Sequence, residues 1–566
     1  MAGLVGIVSR MPPERAKATL TRMYDLMAHR PSFSREPPFI DAAVCAGRCH
    51  SGIINIEAQP RSRSGVHVWF TGEIYNKDKI PGVCGAVPPC EAELVGAFYR
   101  SGNLDALLRE ADGIFTGAIY DATIGTVSLF TDRYGLRYLH YTKRGDAFSW
   151  AEEYKAFLGL PGFMATIDRS ALDNFLDYGF IAGKATWFEG VTLLDPATIL
   201  TYDIARGTIS SSAYFDWRTI VPCTGKFDIT EYCLEWGRRL RESVRRRTAG
   251  NHWPGIFLSG GLDSRAILAS MPDSPKTHAV TFGVEGCDEI RVASRVARKK
   301  GAMHHVFALS AREWFYPRFK GIWWSDGELC IADEHGIETM EEVANFFQVS
   351  LNGLGGAIHS GYIFKPGFGI PPVPEYPFGQ VGRRSARRGV LLEEPYIYAR
   401  APLYANDLIQ LTLSVPMELR LKGRFYRKAL SLCFPELFGT IPYQATGVPV
   451  SVPFPFYDLL ALRTRGIRKI TGMLADRLPC IQNTRIYADY GSWFKQPPAR
   501  QFIQEIFSDK ESLLYHYLKR DDVLHTWRRH CAGNSQTARI NRLLTFELWL
   551  RQVFSGAYRA GFESNP

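Results

Sequence analysis

Residues 259–264, Ser-Gly-Gly-Leu-Asp-Ser, combine the side chains and the backbone freedom that phosphate binding requires. They follow an apolar run at 255–258 and precede a helical pattern, so we expect a turn between a buried strand and a helix. Glycines let the backbone approach a ligand closely, and the helix that follows presents unpaired N–H groups and the positive end of its dipole. The sequence therefore predicts an anion site, in which the hydroxyls of Ser259 and Ser264 bind phosphate oxygens. The alternative is a tight strand–helix turn with no ligand.

Asp263 lies inside this turn, where a carboxylate cannot help to bind a bare anion. Its presence implies a cation between carboxylate and phosphate, most simply Mg²⁺. The string lacks the Lys that a Walker A motif requires before its Ser or Thr, and it is not a GxGxxG motif. The predicted ligand is thus a magnesium-bound phosphate at a different kind of turn.

The elements around the turn alternate between strand and helix. Strand-like runs at 255–258, 279–282 and 305–307 are separated by helical patterns from Ser264 and over 288–300. This alternation predicts a parallel sheet with helices on both faces. Beyond residue 400 the pattern is helical to the end.

The amino-terminal part has a different pattern. Short strand-like runs at 67–70, 116–120 and 127–130 are broken by turns, and helical patterns lie near 14–29 and 91–109. Stacked sheets with helices outside are expected. We therefore predict an α+β domain over residues 1–210 and an α/β domain over 228–566, joined by a linker near 210–227.

Composition limits the class of protein. The 566 residues are 46% hydrophobic and 22% charged, with a formal charge of +10 and eleven cysteines. No apolar run approaches a membrane span and no signal peptide is evident, so a soluble cytoplasmic protein with reduced thiols is expected, without membrane insertion. A zinc site is disfavoured by the cysteine spacing, and no basic stripe with aromatics favours nucleic acid.

The densest clusters of positive charge are two groups of arginines. Residues 238–247 are interpreted as the solvated face of a helix, because Trp236, Leu240 and Val244 recur at helical spacing. Arg383, Arg384, Arg387 and Arg388 border a Pro/Gly-rich stretch at 364–382, which predicts a loop. Those four form either a solvated loop surface or an attractor for an anionic substrate.

The turn resembles the PP-loop of ATP pyrophosphatases, and the longer string at 258–268 resembles the synthetase domain of the asparagine synthetase family. Strings at 1–7, 72–76, 112–115 and 132–135 are similar to strands of that family's glutaminase domain. The resemblance implies an Ntn-hydrolase-like domain of stacked β-sheets, then an α/β PP-loop synthetase domain with a helical carboxy-terminal part.

The same resemblance implies a chemistry. A carboxylate is adenylated by ATP with Mg²⁺, pyrophosphate leaves, an amine attacks and AMP is released. Residues 259–264 would grip pyrophosphate, and Asp263 would hold the metal and act in catalysis. Phe282 and Gly283 would line the adenine pocket, and Gly353 would lie near the ribose and the reacting carbonyl.

Departures from the family narrow this function. The catalytic cysteine of a glutamine-hydrolysing member is here Ala2, which has neither thiol nor hydroxyl. Pro89 replaces the acidic residue that would hold the substrate's amino group. We therefore expect an inactive glutaminase, in which Arg48 and Asn76 stabilise the fold.

The synthetase domain departs as well. Ala357 replaces an expected Mg²⁺-binding carboxylate, and Leu354 stands where small-ring lactam synthetases have a Tyr that is paired with a Glu. Lys428 is the nearest candidate for the lysine that stabilises the transition state, with Lys422 upstream. Possible substitutes for the lost carboxylate are Asp326, Glu328, Asp333 and Glu334.

Loss of the ammonia source favours an amine already present in a peptide or small-molecule carboxylate substrate. β-Lactam synthetases and lasso-peptide macrolactam synthetases, which the chain resembles in this loss, close rings in this way. We interpret the chain as a lasso cyclase, whose partners would be a precursor-processing protease and a leader-binding protein. Tyr362, Phe364, Lys365 and Phe368 would either line a peptide groove or pack their loop. The alternatives are a β-lactam synthetase-like enzyme, intermolecular amidation of a metabolite or sugar acid, and a non-catalytic scaffold.

Overall fold

The computed structural model describes residues 3–8, 11–83, 88–145, 147–225, 227–273, 276–364, 381–475 and 487–560. Ala2, Lys365 and Phe368 lie outside these residues. The elements of the amino-terminal part are β1 (Gly3–Val8), α1 (Pro13–Met27), β2 (Ser34–Arg35), β3 (Phe39–Ile40), β4 (Val44–His50), β5 (Arg61–Arg63), β6 (Val66–Ile74), α2 (Glu91–Arg100), α3 (Leu104–Glu110), β7 (Gly113–Asp121), β8 (Thr126–Thr131), β9 (His140–Arg144), β10 (Ala147–Ala151), α4 (Arg169–Tyr178), β11 (Val191–Leu193), β12 (Thr198–Asp203) and β13 (Thr208–Ala213).

These strands form two antiparallel sheets that pack face to face. One has the order β11-β9-β10-β1-β4-β2, with β3 also on β4, and the other has the order β13-β12-β8-β7-β6-β5. Side chains of both sheets, Trp69 and Trp150 among them, fill the space between them. Helix α1 covers the outer face of the first sheet, and α2 and α3 cover the second. Since both faces of each sheet are covered, every residue of β1 and β7 is buried. The predicted stacked sheets are confirmed.

The second half is built on a parallel sheet. Its elements are α5 (Ile229–Thr248), β14 (Pro254–Phe257), α6 (Asp263–Ser270), β15 (His278–Gly283), α7 (Asp288–Lys300), β16 (Met303–Ala308), α8 (Phe319–Trp324), α9 (Met340–Val343), β17 (Val349–Leu351), α10 (Gly356–His359), α11 (Arg387–Leu391) and β18 (Tyr398–Arg400). The strand order is β16-β15-β14-β17-β18, and every pairing is parallel. The predicted parallel sheet is confirmed. β13 runs to Ala213, so the connection between the halves begins there and not at Ser210.

The carboxy-terminal part is helical, as expected. Its helices are α12 (Asn406–Ser414), α13 (Met417–Arg420), α14 (Arg424–Cys433), α15 (Pro435–Phe438), α16 (Phe456–Ala475), α17 (Tyr490–Trp493), α18 (Ala499–Ser508), α19 (Arg520–Cys531) and α20 (Thr537–Phe554). Trp187 of the first half stacks on Phe546 of α20, within a hydrophobic core that both halves share. In the described part of the chain, no helix is long and apolar enough to cross a membrane.

Both interpretations of the arginines at 383–388 are wrong. The four side chains are buried, on a π-helical turn, Val381–Ala386, that continues into α11. Arg383 and Arg384 donate to backbone carbonyls of the first half, at Gly135 and Ile181. A buried guanidinium needs such acceptors, and the loops of the first half supply them.

Carboxylates complete the network around these arginines. Arg384 and Arg388 lie 3.0 and 2.9 Å from Glu328, and Arg388 lies 3.6 Å from Asp326. Lys155 of the first half contacts Asp326 at 3.1 Å. The cluster is thus an ionic interface between the two halves, and not a surface for substrate.

The arginines of α5 follow the prediction only in part. Arg238 and Arg245 are on the solvated face, where they pair with glutamates of the same helix. Arg246 and Arg247 instead contact Asp112 of the first half, both at 3.2 Å. Burial of this end of α5 against the first half explains the difference.

Candidate active site at the edge of the parallel sheet

The turn at 259–264 has the predicted context. β14 ends at Phe257, α6 begins at Asp263, and the turn lies at the carboxyl edge of a parallel sheet, where ligands of such sheets bind. Leu262 does not face this edge but packs in the core with α6 and α7. The hydroxyls of Ser259 and Ser264 lie 2.9 Å apart and bond to each other. The structure therefore brings both predicted hydroxyls to one point of the turn.

Three N–H groups of the turn have acceptors within the protein. Ser259 N–H donates to Ser264 Oγ at 3.0 Å, and Gly261 N–H donates to Ser259 Oγ at 3.1 Å. Gly260 N–H donates to a carboxylate oxygen of Glu289, on α7, also at 3.1 Å. Glu289 is partly buried, and burial raises the pKa of its carboxyl. A carboxyl oxygen thus already accepts a hydrogen bond from the turn, at a position that a phosphate oxygen could also occupy.

Asp263 is partly buried beside the turn. Its Oδ1 accepts a 2.7 Å hydrogen bond from the hydroxyl of Tyr426, on α14. Burial raises the pKa of Asp263 to about 6, and the Tyr426 hydrogen bond opposes that shift. A Cβ on Gly356 would lie 2.0 Å from this carboxylate, so only glycine fits at that position.

Gly353 lies against the same turn, and its predicted place near the ribose and the reacting carbonyl stays a prediction. A Cβ placed there would come within 3.1 Å of Asp263 Cβ and 3.4 Å of the Ser264 nitrogen. β17 pairs with β14, and this pairing carries the glycine string at 353–356 to Asp263. The described part of the site thus joins the two glycine-rich segments around one carboxylate.

Arg265 places a positive charge beside the turn. Its guanidinium donates to the carbonyls of Gly260, Ile441 and Pro442 at 3.0 to 3.1 Å. Burial lowers its pKa to about 10, which leaves it cationic at neutral pH. Because its hydrogen-bond acceptors are neutral carbonyls, its charge adds to the positive potential at the turn.

Phe282 and Gly283 face opposite sides of β15. Phe282 lines a cavity together with Phe257, whereas a Cβ on Gly283 would meet Cys287 and Ile290, near the start of α7. Successive residues of a strand point to opposite faces of the sheet. The two residues therefore cannot both line one pocket with their side chains.

Two family models match the chain in the order in which the halves occur. A glutamine amidotransferase domain matches residues 1–215, and an asparagine synthase domain matches residues 235–366. Together they cover more than half of the chain. The chain belongs to the asparagine synthetase family.

Curated relatives agree with this assignment. A Methanocaldococcus jannaschii protein named as an asparagine synthetase is 25% identical over 53% of this chain and 60% of its own length. Asparagine synthetase 3 of Bacillus subtilis is 26% identical over 48% of this chain and 45% of its own. An amidase of Gibberella zeae is 26% identical over 55% and 50%. The chain thus spans less than two thirds of the length of these relatives.

In the amidotransferase half, Arg48 and Asn76 form internal hydrogen bonds. Arg48 is fully buried, with one nitrogen 2.5 Å from Glu36 and 2.8 Å from the Glu57 carbonyl. Asn76 bridges the Glu110 carbonyl and the Asp112 N–H at 2.9 and 2.8 Å. Both side chains hold the fold together, as we expected.

The two lysines and two of the four acidic substitutes, Asp326 and Glu328, lie away from the turn. Lys428 is exposed, and its ammonium lies 3.3 Å from Thr230 Oγ1 at the start of α5. The structure does not bring it to the turn, because the buried face of α14 presents Tyr426 instead. Lys422 is exposed too, Ala357 is exposed beside the site, and Asp326 and Glu328 are ion-paired at the interface. Instead of a lysine, Gln444 lies beside Gly260, where its N–H donates to the Gly260 carbonyl at 3.2 Å.

The residues present could hold one Mg²⁺ only if substrate phosphates and water supplied the rest of its ligands. Among the described residues, no group of three His, Cys, Asp or Glu side chains could hold a metal ion. Mg²⁺ is often held by one or two carboxylates plus substrate phosphates and water, and Asp263 supplies one carboxylate. The metal would therefore arrive with ATP.

Sequence reasoning missed three residues of this site. Tyr426 and Glu289 contact the turn from helices far along the chain, and no local pattern marks them. Arg265 directly follows the Ser-Gly-Gly-Leu-Asp-Ser string. Its position in α6 was a usable signal, because a residue only two positions past the start of a helix lies close to the turn before it.

Proposed function

We propose that this protein is an ATP-dependent carbon–nitrogen ligase that adenylates a carboxylate, releases pyrophosphate and AMP, and couples the acyl group to an amine of the same substrate. The observation that carries the proposal is the turn itself, where Asp263 and Gly356 meet beside an anion-binding backbone. The more specific proposal is macrolactam closure of a lasso peptide, with a precursor-processing protease and a leader-binding protein as partners.

Each residue of the turn and its neighbours would have a separate role in binding ATP and in the reaction. The N–H groups of Ser259, Gly260 and Gly261 would turn from their internal acceptors to the pyrophosphate part of ATP. Arg265 keeps the potential positive beneath them, which opposes the charge that develops as pyrophosphate leaves. Mg²⁺, held by Asp263, would neutralise phosphate charge, and Gly353 and Gly356 leave room for the reacting groups. Holding carboxylate and amine together would supply much of the rate by proximity.

The residues of the first half indicate where the reacting amine comes from. Ala2 provides no nucleophile and Arg48 is held by Glu36, so this half supports no glutamine hydrolysis. An amine carried by the substrate removes the need for ammonia. Leu354 packs in a hydrophobic cluster with Tyr134 and Tyr404 and offers no base, which weighs against a β-lactam product.

Two measurements test the proposal. Candidate peptides and carboxylates are incubated with the protein, ATP and labelled pyrophosphate, and exchange of label into ATP reports adenylation. The mass of the product reports the amine: loss of one water means ring closure, whereas a gain of nitrogen means intermolecular amidation. If no substrate supports exchange and Asp263→Ala changes nothing, the ligase proposal fails and a scaffold role remains.

A further inference from the structure

Helix α16 exposes apolar side chains along one side. Tyr457 and Ala461 are buried and hold the helix against the core of the second half. On the opposite side, Leu459 and Leu462 are 65% and 63% exposed, and the flanking Phe456 is 62% exposed. Single exposed leucines are common, whereas adjoining ones on one helix face mark an interaction surface. Among the residues that the structure describes, this face of α16 has no packing partner.

The spacing of the exposed residues is that of a seam between two helices. Leu459, Leu462 and Gly466 follow one another at intervals of three and four residues, so they form one row along the helix. A Cβ built on Gly466 meets no atom within 4 Å, so this position is open and brings no side chain into the row. A second helix could therefore approach the backbone of α16 closely at that point.

Two charges of opposite sign lie on one flank of this row. Asp458 and Arg465 are both exposed, and they are seven residues, or about two helical turns, apart. The charge of Asp458 acts on Arg427, which stacks on Tyr457, but the two do not form an ion pair. Within the described ranges of the chain, Arg465 has no carboxylate partner either. The flank is thus negative near the start of the helix and positive two turns later.

Such a flank is complementary to itself when two copies of the helix run antiparallel. A twofold axis perpendicular to both helices brings each flank against the same flank of the other copy. With this axis beside Leu462, Asp458 of each copy lies opposite Arg465 of the other. Both ion pairs then form at once, and charges that flank a helix seam in this way set the choice and the orientation of the partner.

The apolar residues agree with the same register. Leu462 of one copy meets Leu462 of the other beside the axis, and Leu459 packs between Leu462 and Gly466 of the second copy. On the other flank, Phe456 lies opposite Ile467, which is 52% exposed. One antiparallel register therefore covers the exposed apolar side chains and pairs the charges.

Two other occupants fit this surface less well. An anionic lipid surface would attract Arg463 and Arg465 but would repel Asp458. An extended peptide needs a groove or a sheet edge, and the exposed face of a single helix is convex. A second copy uses both signs of charge and the whole apolar row.

We propose that α16 is a dimerisation helix, through which two copies of this chain associate about a twofold axis by antiparallel contact of residues 456–467. The interface lies close to the candidate site of each copy. Tyr457, on the buried side of α16, lies 2.9 Å from Thr446 Oγ1, and Gln444 N–H in the same segment donates to the Gly260 carbonyl of the turn. Dimerisation does not depend on the proposed ligase function, and it can be measured without a substrate.

The first test is the mass of the full-length protein in solution, measured by sedimentation velocity. We expect the mass to rise from one chain to two between about 1 and 100 µM. Leu462→Glu places two like charges beside the axis and should weaken the dimer about hundredfold. Leu234→Glu, a change at an exposed leucine on α5, is the matched control and should leave the Kd unchanged.

A charge exchange tests the antiparallel register. Asp458→Arg sets two guanidinium groups against each other, and Arg465→Asp sets two carboxylates against each other, so each change alone should weaken the dimer about tenfold. The double variant again has opposite charges at facing positions. Its Kd should return to within about threefold of the wild-type value.

Three outcomes would overturn the proposal: a monomer at about 100 µM, a dimer that Leu462→Glu leaves intact, or single charge variants that the double variant does not rescue. A monomeric wild-type protein that binds phosphatidylglycerol vesicles, with that binding lost in Leu462→Glu, would assign the surface to lipid instead. Circular dichroism checks that each variant is folded. Since the altered side chains are exposed, we expect unchanged spectra.

Discussion

At the scale of single residues, the site is organised by side chains that contact the turn from distant helices. Glu289 places a carboxylate on Gly260 N–H, where the proposed function places a phosphate oxygen. Tyr426 donates to Asp263, the proposed metal ligand, at 2.7 Å. Each contact should therefore affect ligand affinity, in the way that the next two predictions state.

Replacing Glu289 by glutamine should tighten the binding of pyrophosphate. The glutamine oxygen can still accept from Gly260, but it no longer carries a negative charge that competes with the ligand. We expect the Kd for pyrophosphate to fall about tenfold. Calorimetry checks this, with Glu436→Gln on the exposed face of α15 as the matched control. Weaker binding would instead indicate that Glu289 helps to hold the metal.

Replacing Tyr426 by phenylalanine should weaken the binding of Mg²⁺. The hydroxyl lowers the pKa of Asp263, which is about 6, so its loss raises that pKa further. A raised pKa leaves less carboxylate at a given pH, and protons compete more strongly with the metal. The deficit should therefore be larger at pH 6 than at pH 8. Metal titrations in the presence of ATP test this, with the exposed Tyr178→Phe as the control; equal deficits at both pH values would rule out the pKa explanation.

At the scale of elements, the helical segment at 381–391 joins the two halves. Its arginines bond to carbonyls of the first half and to carboxylates at 326 and 328. Neither partner is near these arginines in sequence. The charge of these arginines suggested a surface loop, since arginine is seldom buried. Their burial is explained by hydrogen bonds to carbonyls in loops more than 180 residues away in the chain.

Arg388→Met should destabilise the protein strongly. It leaves Asp326 and Glu328 with fewer cationic partners in a buried place, and breaking such a pair costs about 3–5 kcal/mol. Urea unfolding measures the change. Arg238→Met, which removes an exposed ion pair within α5, should cost less than about 1 kcal/mol. Similar small losses for both variants would contradict the proposed role of the interface.

The secondary-structure elements also show which features of this fold can be predicted from the sequence. Periodicity located β6, β7 and β8 of the first half, β14, β15 and β16 of the second, and the strand–turn–helix unit, because each is set by residues close together in the chain. It did not mark the remaining strands, among them β17 and β18, which are only three residues each. The residues that complete the site, Tyr426 and Glu289, depend on packing between helices and lie beyond local patterns.

At the scale of the whole molecule, three polar side chains of the amidotransferase half make structural contacts. Arg48 and Asn76 form internal bonds, and Glu73, on the strand that resembles a glutamine-site strand, forms a two-point ion pair with Arg400 of the other half. The amidotransferase half thus supports the synthetase half physically.

Ala2→Cys should therefore fail to restore glutaminase activity. A thiol would be present, but Arg48 would still be held by Glu36, and Pro89 would still lack a carboxylate for the substrate's amino group. Release of glutamate from glutamine measures this, and thiol labelling of the variant verifies that the cysteine is present. Substantial hydrolysis would show that the rest of the glutamine site is intact.

The central claim is that the turn at 259–264 and Asp263 bind the phosphates of ATP together with Mg²⁺. Calorimetric titration of ATP into the protein, with and without Mg²⁺, tests it without knowledge of the substrate, and Asp263→Asn preserves the shape of the carboxylate. We predict magnesium-dependent binding that the variant weakens about tenfold or more. Absence of ATP binding by the wild-type protein, or equal binding by Asp263→Asn, would contradict the account.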